Sequence, residues 1–237
     1  MTRPVVRIAR GALAGAFFLA YGAVGIASFP LLLCIAWSKR AVRAVVRAYY
    51  RCIVYMLAAC GLVRVKFSRP VSGVRGRIVV MNHLSLLDVL VLFAHLPDST
   101  CIVKAAAMRN PFLAAAARIV FLSNGDDPAR TIAAAAALLA NGVNVIIFPE
   151  GTRTPKDSPS RKLHRGAARL ALATGAKVQP IHLELDPPVF ARGQPLVDAG
   201  DHTIWYSMEV RDEIVPSGPA DRHGAIALTE RIGKAIL

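Results

Sequence analysis

Hydrophobic residues in this chain form short apolar runs that alternate with stretches of helical periodicity. The runs predict buried strands at residues 77–82, 99–104, 118–123, 143–148 and 177–185. The stretches between them predict helices at residues 86–96, 110–119, 127–142 and 165–176. Strands and helices that alternate at this spacing need crossover connections. The sequence therefore predicts an α/β fold with a mostly parallel sheet flanked by helices.

The N-terminal part of the chain follows a different pattern. Residues 11–38 carry no charged side chain, and basic residues flank them on both sides. About 20 apolar residues suffice to cross a bilayer core, so this run is long enough to span one. Because both flanks are basic, the positive-inside rule gives no orientation, and Pro30 with nearby glycines leaves a re-entrant helix open. A cleaved signal peptide is a further alternative, but its apolar region is normally only about 7 to 15 residues long.

A basic helix is predicted directly after this apolar run. Its arginines recur at helical spacing and so share one face; they are Arg40, Arg43, Arg47 and Arg51. This pattern predicts an interfacial helix on anionic lipid headgroups. A solvated face of an ordinary surface helix is the alternative. We therefore expect a membrane-associated helical segment over residues 1–61 and an α/β domain over residues 62–237.

Composition supports a membrane surface as the partner. Of 237 residues, 54% are hydrophobic, and the formal net charge is +14. Nucleic acid is not expected, because the basic residues are interleaved mainly with aliphatic ones and no RNP or zinc pattern occurs. The histidine spacings predict no metal site. Apolar surroundings predict buried, reduced thiols for the cysteines; these are Cys34, Cys52, Cys60 and Cys101.

The first polar cluster follows the predicted strand at 77–82 and contains Asn82, His83, Ser85 and Asp88. If residues 83–88 were all helical, His83 and Asp88 would lie about 140° apart around the axis and would not meet. If His83 lies in a turn instead, its imidazole can fold back onto the carboxylate. Such a pair forms a general base, because the carboxylate holds one ring nitrogen and leaves the other to take a proton. The alternative is structural, with His83 capping the helix and Asp88 at its positive end.

The second polar cluster, FPEGTRT, follows the predicted strand at 143–148 and contains Glu150, Gly151, Thr152 and Arg153. Gly151 permits a sharp turn or a close ligand approach, and Arg153 supplies a planar fork suited to phosphate or carboxylate. The carboxyl ends of parallel strands share one edge of a sheet, where ligands of open α/β sheets bind. An ordinary connection between a strand and a helix is the alternative for this loop.

Together the two clusters resemble the glycerolipid acyltransferase family, typified by 1-acylglycerol-3-phosphate acyltransferases. That family has an N-H-x4-D block and an F-P-E-G-T-R-[ST] block, and this chain matches both without a mismatch. Supporting similarity lies at Lys104, at the Asn110-Pro111-Phe112 helix start, at HRGAARLA from His164 and at VQPI from Val178. The likeness extends over about residues 76–190.

The resemblance implies a membrane-bound O-acyltransferase with His83 and Asp88 as catalytic residues. The acyl donor would be acyl-CoA or acyl-carrier protein, the acceptor a lysolipid, and no cofactor would be needed. Substrate-binding roles would fall to Asn82, Lys104, Glu150, Gly151, Thr152 and Arg153. The expected location is the inner or cytoplasmic membrane, with the active site facing the cytosol.

The chain departs from the family at one position. Where typical members have an arginine that helps to bind the acceptor phosphate, this sequence has Asn124. Arg118 and Arg130 are nearby in sequence and are candidates to replace it. A non-phosphate acceptor such as lyso-ornithine lipid is therefore an alternative to lysophosphatidic acid.

Other classes of protein explain these clusters less well. A serine hydrolase would need a nucleophile elbow, and no G-x-S-x-G occurs in the sequence. A thioesterase that uses His83 to activate water is one remaining alternative. A noncatalytic membrane-binding protein is the other.

Overall fold

The structure is a computed structural model that describes residues 3–106, 108, 119–125, 127–154, 162–190, 193–194 and 198–237. Its helices are α1 (Arg3–Ala27), α2 (Phe29–Cys34), α3 (Lys39–Ala59), α4 (Asp88–His95), α5 (Pro128–Ala140), α6 (Gly166–Thr174) and α7 (Arg222–Ile236). Its strands are β1 (Val63–Phe67), β2 (Ile78–Met81), β3 (Ser99–Val103), β4 (Leu122–Ser123), β5 (Asn144–Ile147), β6 (Val178–Asp186) and β7 (Ile204–Val210).

The strands form one sheet in the order β1-β7-β6-β2-β5-β3-β4. Neighbouring strands run parallel except for β6 and β7, which are antiparallel. All four residues of the central strand β2 are buried. Val79 and Met81 pack in the core shared with α3 and α4, whereas Ile78 and Val80 pack in the core shared with α5, α6 and α7. Helices therefore cover both faces, which confirms the predicted α/β fold with a mostly parallel sheet.

Most of the predicted elements of the α/β domain are present. β2, β3, β5 and β6 lie where apolar runs predicted strands, and α4, α5 and α6 lie where helical periodicity predicted helices. The boundaries of α5 have clear local causes. The Asp127 carboxylate accepts a hydrogen bond from the Arg130 amide at 3.0 Å, and Pro128 occupies the first turn. Gly142 follows the helix with a φ of +76°, a left-handed conformation that favours glycine.

Several elements differ from the prediction. The strand expected at 118–123 is reduced to β4, and residues 119 and 120 are helical instead. β4 is an edge strand that pairs with β3 over only two residues. Most of this apolar run therefore lies outside the sheet. Most of the helix expected at 110–119 lies outside the described residues. β1, β7 and α7 were not predicted.

The N-terminal helices are packed against the α/β domain. Arg7 forms a bidentate ion pair with Asp198, and Arg10 donates to the carbonyl of His202 at 2.7 Å. Farther along α1, the Tyr49 hydroxyl of α3 donates to the Tyr21 carbonyl at 2.8 Å. The predicted division at residues 61 and 62 falls between α3 and β1, but side chains of α1 and α3 share one apolar core with the sheet. The division into two units stays a prediction.

Two of the four arginines assigned to headgroups contact protein instead. Arg43 is buried and pairs with Asp98, and Arg47 donates to the His95 carbonyl at 3.2 Å. Arg40 and Arg51 remain exposed. The expectation of buried cysteines holds for Cys101, but the other three cysteines are exposed. The α3 helix therefore combines a buried face with a narrower exposed basic face than its spacing predicted.

Candidate active site

A histidine and an aspartate are in direct contact just beyond β2. His83 Nδ1 lies 2.8 Å from Asp88 Oδ2. Helix α4 begins only at Asp88, so residues 83–87 form a turn that folds the imidazole back onto the carboxylate. Asp88 is fully buried, and the amides of Leu84 and Ser85 also donate to its Oδ2, each at 2.8 Å. Three donors and the helix N-terminus together stabilise an ionised carboxylate.

The FPEGTRT loop holds the backbone of His83 in place. The His83 amide donates to Glu150 Oε1 at 3.0 Å, and the His83 carbonyl accepts from the Thr154 amide at 2.8 Å. The imidazole packs on Phe148, with ring centroids 4.3 Å apart, and its side chain is 17% exposed. These contacts arise because β2 and β5 are neighbours in the sheet. With Nδ1 bound to Asp88, Nε2 is the nitrogen available for a substrate proton.

Gly151 brings two basic side chains together. It has a φ of +64°, and a Cβ added there would lie 3.0 Å from His164 Cδ2 and 3.9 Å from Lys104 Cε. Lys104 follows β3, His164 precedes α6, and both are exposed. In the sequence, His164 was only part of a supporting similarity to the family and was not predicted to be a site residue. One signal could have pointed to it: His164 comes just before the predicted helix that follows the FPEGTRT loop.

Two further predicted site residues form hydrogen bonds within the described residues. Arg153 donates through Nη1 to the Phe190 carbonyl at 2.8 Å and so connects its loop to the segment after β6. The Thr152 carbonyl accepts a hydrogen bond from Thr154 Oγ1 at 3.3 Å. Substrate binding by Glu150, Thr152 and Arg153 stays a prediction.

Asn82 makes a paired contact with β6. Its side-chain amide donates to the Leu183 carbonyl at 2.9 Å, and its Oδ1 accepts from the Leu183 amide at 2.7 Å. The residue is 1% exposed. The described contacts of Asn82 therefore extend the pairing of β2 with β6 and hold the start of the turn at residues 83–87, and contact with substrate stays a prediction.

Replacing Asn82 with alanine is expected to lower the free energy of unfolding by about 3 kcal/mol, because two buried backbone groups of Leu183 lose their partner. Chemical denaturation measures the change. Asn124→Ala, at an exposed position, serves as the control and should leave stability almost unchanged. An unchanged stability with a raised KM for the acceptor would instead make Asn82 a substrate contact.

Asn124, which stands where the family has an arginine, lies at the edge of this site. Asn124 directly follows β4, is exposed, and its amide donates to the Val103 carbonyl at 2.9 Å. It therefore lies beside Lys104, which follows Val103. Arg130 lies in the first turn of α5, where its amide donates to Asp127, and Arg118 lies outside the described residues.

The fold and the histidine–aspartate pair define an α/β acyltransferase. The family model named Acyltransferase matches residues 63–184, just over half of the chain, and includes both polar clusters. This chain belongs to the Acyltransferase family. It is also similar in structure to the 1-acyl-sn-glycerophosphate (LPA) acyltransferase PlsC from Thermotoga maritima, known from a crystal structure. The TM-score is 0.72 at 20% sequence identity, over 97% of this chain and 95% of that one. A comparison with curated proteins finds no match.

Proposed function

We propose that this acyltransferase moves an acyl chain from acyl-CoA or acyl-carrier protein to the free hydroxyl of a lysolipid. The proposed acceptor is 1-acylglycerol-3-phosphate, and the product is phosphatidic acid, which places the enzyme in phospholipid biosynthesis. The observation that carries the proposal is the His83–Asp88 pair, held against the FPEGTRT loop at the carboxyl edge of the sheet. The name of the PlsC structure supports the phosphate-bearing acceptor. No cofactor is proposed, and the acyl donor is a substrate.

In the proposed reaction, His83 Nε2 removes the proton from the acceptor hydroxyl as its oxygen attacks the thioester carbonyl. Asp88 stabilises the imidazolium that forms. The tetrahedral intermediate then collapses, the carbon–sulfur bond breaks, and the imidazolium returns the proton to the leaving thiolate. The acyl chain passes directly to the acceptor, and no covalent enzyme intermediate is needed.

The acceptor phosphate is proposed to bind near Gly151. The Lys104 and His164 side chains lie near this glycine, and its missing Cβ lets His164 come close to the backbone. Arg153 belongs to the same loop and offers planar, bidentate donors. The oxyanion needs other donors than the amides of residues 83–85, because Glu150 and Asp88 already accept hydrogen bonds from all three.

An apolar crevice lies between the N-terminal helices and the α/β domain. Leu87 and Leu90 line it, one residue before Asp88 and two residues after it. Phe190, whose carbonyl binds Arg153, also lines it and packs edge-on against Phe18 at 5.4 Å. The crevice therefore connects elements of the candidate site to α1. We propose that it holds the acyl chain during transfer.

Membrane association is proposed for the N-terminal helices. Pro4–Cys34 is long and apolar enough to cross a membrane by length and composition alone. Its exposed apolar side chains continue to Trp37, which is 86% exposed. Aromatic residues of this kind favour the membrane interface. Such a large exposed apolar surface favours contact with lipid.

The contacts of α1 argue for insertion into one leaflet. Arg7 binds Asp198 of the α/β domain, and Tyr21 binds Tyr49 of α3, so polar contacts hold α1 along about 20 Å of its axis. A spanning α1 would draw these polar contacts into hydrocarbon, which is costly. We propose that α1 and α2 dip into the cytosolic leaflet of the inner or cytoplasmic membrane, with the active site facing the cytosol.

The exposed arginines of α3 are expected to strengthen binding to anionic lipid. Arg51→Gln should weaken binding to phosphatidylglycerol-containing vesicles about 5-fold at physiological ionic strength, because one cation near such a surface contributes about 1 kcal/mol. Vesicle co-sedimentation measures this. Arg231→Gln is the matched control, since Arg231 is exposed on α7, across the sheet from α3. Equal losses in both variants would contradict the proposed orientation.

A second candidate acceptor is a lysolipid without phosphate, such as lyso-ornithine lipid. The observation that favours it is Asn124, which stands beside Lys104 in place of the family arginine. The reaction and the catalytic pair would be the same. Only the contacts to the headgroup would differ.

Acyl transfer by the purified protein tests both candidates. Labelled acyl-CoA and labelled acyl-carrier protein are each offered with lysophosphatidic acid and with lyso-ornithine lipid. Product from lysophosphatidic acid is expected, and product from the aminolipid alone would make Asn124 a specificity change. Release of fatty acid without a lysolipid would identify a thioesterase. No turnover of any kind by folded protein would favour a noncatalytic membrane role.

A further inference from the structure

The two carboxylate oxygens of Asp88 have very different surroundings. Oδ2 accepts hydrogen bonds from His83 Nδ1, the Leu84 amide and the Ser85 amide. Oδ1 is buried and accepts no hydrogen bond from any described residue. A buried, ionised oxygen without a donor is unfavourable and rare in native proteins. We therefore expect a group of the surrounding protein to donate a hydrogen bond to Oδ1.

A buried hydroxyl without an acceptor lies on strand β7, which β6 separates from β2. Tyr206 is completely buried, and its Oη has no hydrogen bond to the part of the chain that the structure describes. It is aligned with Leu185 of β6 and Val65 of β1, in the interior of the sheet. A phenylalanine would fill the same space without burying an unpaired hydroxyl. The presence of tyrosine therefore needs an explanation beyond packing.

Tyr206 lies in the apolar core on the α4 face of the sheet, and Asp88 is the first residue of α4. Burial, and next the charge of Asp88, raise the pKa of the Tyr206 hydroxyl well above its ordinary value, and the nearby Ser85 side chain lowers it in part. The phenol therefore stays protonated at neutral pH and keeps a proton to donate. An ionised carboxylate can only accept. The unpaired donor and the unpaired acceptor are thus chemically complementary.

We propose that Tyr206 is a positioning residue that donates a hydrogen bond from its hydroxyl to Asp88 Oδ1 during the catalytic cycle. The proposal rests on the proposed role of His83 and Asp88 in acyl transfer. The hydrogen bond favours the ionised carboxylate, so the proton taken from the acceptor stays on the imidazole and does not pass to Asp88. His83 then retains this proton until the thiolate leaves. Tyr206 touches neither substrate and acts through Asp88.

Tyr206→Phe removes only the hydroxyl and tests this role in the full-length protein. Without the phenol dipole, the negative charge of Asp88 is less stabilised. The His83–Asp88 pair should therefore bind the proton on the imidazole more tightly. The NMR titration of the His83 ring is therefore expected to shift to higher pH, and this measurement needs no turnover. In the acyl-transfer assay, kcat is expected to fall about 10-fold. The KM values for both substrates should change little, because no substrate contact is lost.

Tyr50→Phe is the matched control. Tyr50 is also a buried tyrosine, but its hydroxyl lies 3.5 Å from that of Tyr21, between α1 and α3. Its removal should leave the His83 titration and kcat unchanged. In an Asp88→Asn background, Tyr206→Phe should have no further effect on kcat, because the residue acts through the carboxylate.

The outcomes separate this proposal from the proposed function. A His83 titration that is the same in wild type and Tyr206→Phe overturns the positioning role, whatever the activity. The same shift produced by Ser85→Ala, but not by Tyr206→Phe, would assign the role to Ser85 and also overturn it. A titration shift in a protein that transfers no acyl group would support the contact while the proposed function fails.

Discussion

Replacing His83 with alanine is expected to slow acyl transfer about 10²- to 10⁴-fold, the contribution typical of a general base. The loss should fall on kcat, because the imidazole acts on the reacting hydroxyl. The backbone of the site should survive, since Glu150 and Thr154 hold His83 through its main-chain amide and carbonyl. Circular dichroism and thermal unfolding check the fold of the variant, and labelled acyl-CoA with lysophosphatidic acid gives the rate.

The control for this experiment is another histidine. His223 is exposed at the start of α7, and His223→Ala should leave the rate unchanged. If His83→Ala retains more than about a tenth of the activity, His83 is not the general base. Equal losses in both variants would point to an indirect effect on the protein.

Asp88→Asn is expected to have the second largest effect, lowering kcat about 10²- to 10⁴-fold. The asparagine keeps the shape of the side chain, and its carbonyl can still accept from the Leu84 and Ser85 amides. It cannot stabilise an imidazolium by charge. The loss should therefore appear in turnover with only a modest change in the thermal unfolding temperature.

Asp88→Ala provides a useful comparison with this variant. It also removes the acceptor of two buried amides, so it should lower stability as well as rate. Asp212→Asn, at an aspartate that is 94% exposed and paired with Arg69, is the control for loss of a negative charge. An Asp88→Asn enzyme with wild-type kcat would leave Asp88 with the structural role of ordering the turn.

Much of the architecture followed from local sequence patterns. The α5 helix shows why, since a capping aspartate, a first-turn proline and a terminating glycine act within one stretch of chain. β7 shows the opposite case. Its inward Ile204, Tyr206 and Met208 alternate with outward residues, but its pairing with β1 joins positions about 140 residues apart. Local pattern could not supply that partner, and the exposed Trp205 obscured the alternation.

Only part of the candidate site could be predicted from the sequence, for the same reason. The spacing of His83 and Asp88 allowed either a helix that separates them or a turn that joins them. The start of α4 at Asp88 selected the turn. His164 and Tyr206 were not included, because each reaches the site from an element remote in sequence. The basic face of α3 was overestimated, since helical spacing alone does not show that Arg43 turns inward to Asp98.

The sequence by itself determined the alternation of strands and helices, the apolar N-terminus, and the two polar clusters that identify an acyltransferase. These depend on periodicity and on short motifs, which act over a few residues. Only the tertiary structure decided which residues of those clusters meet and which partners they have. It brought the imidazole onto Asp88, placed Lys104 and His164 at Gly151, and buried the Tyr206 hydroxyl in the apolar core on the α4 face of the sheet. Such contacts depend on strand order and side-chain packing, which are properties of the whole chain.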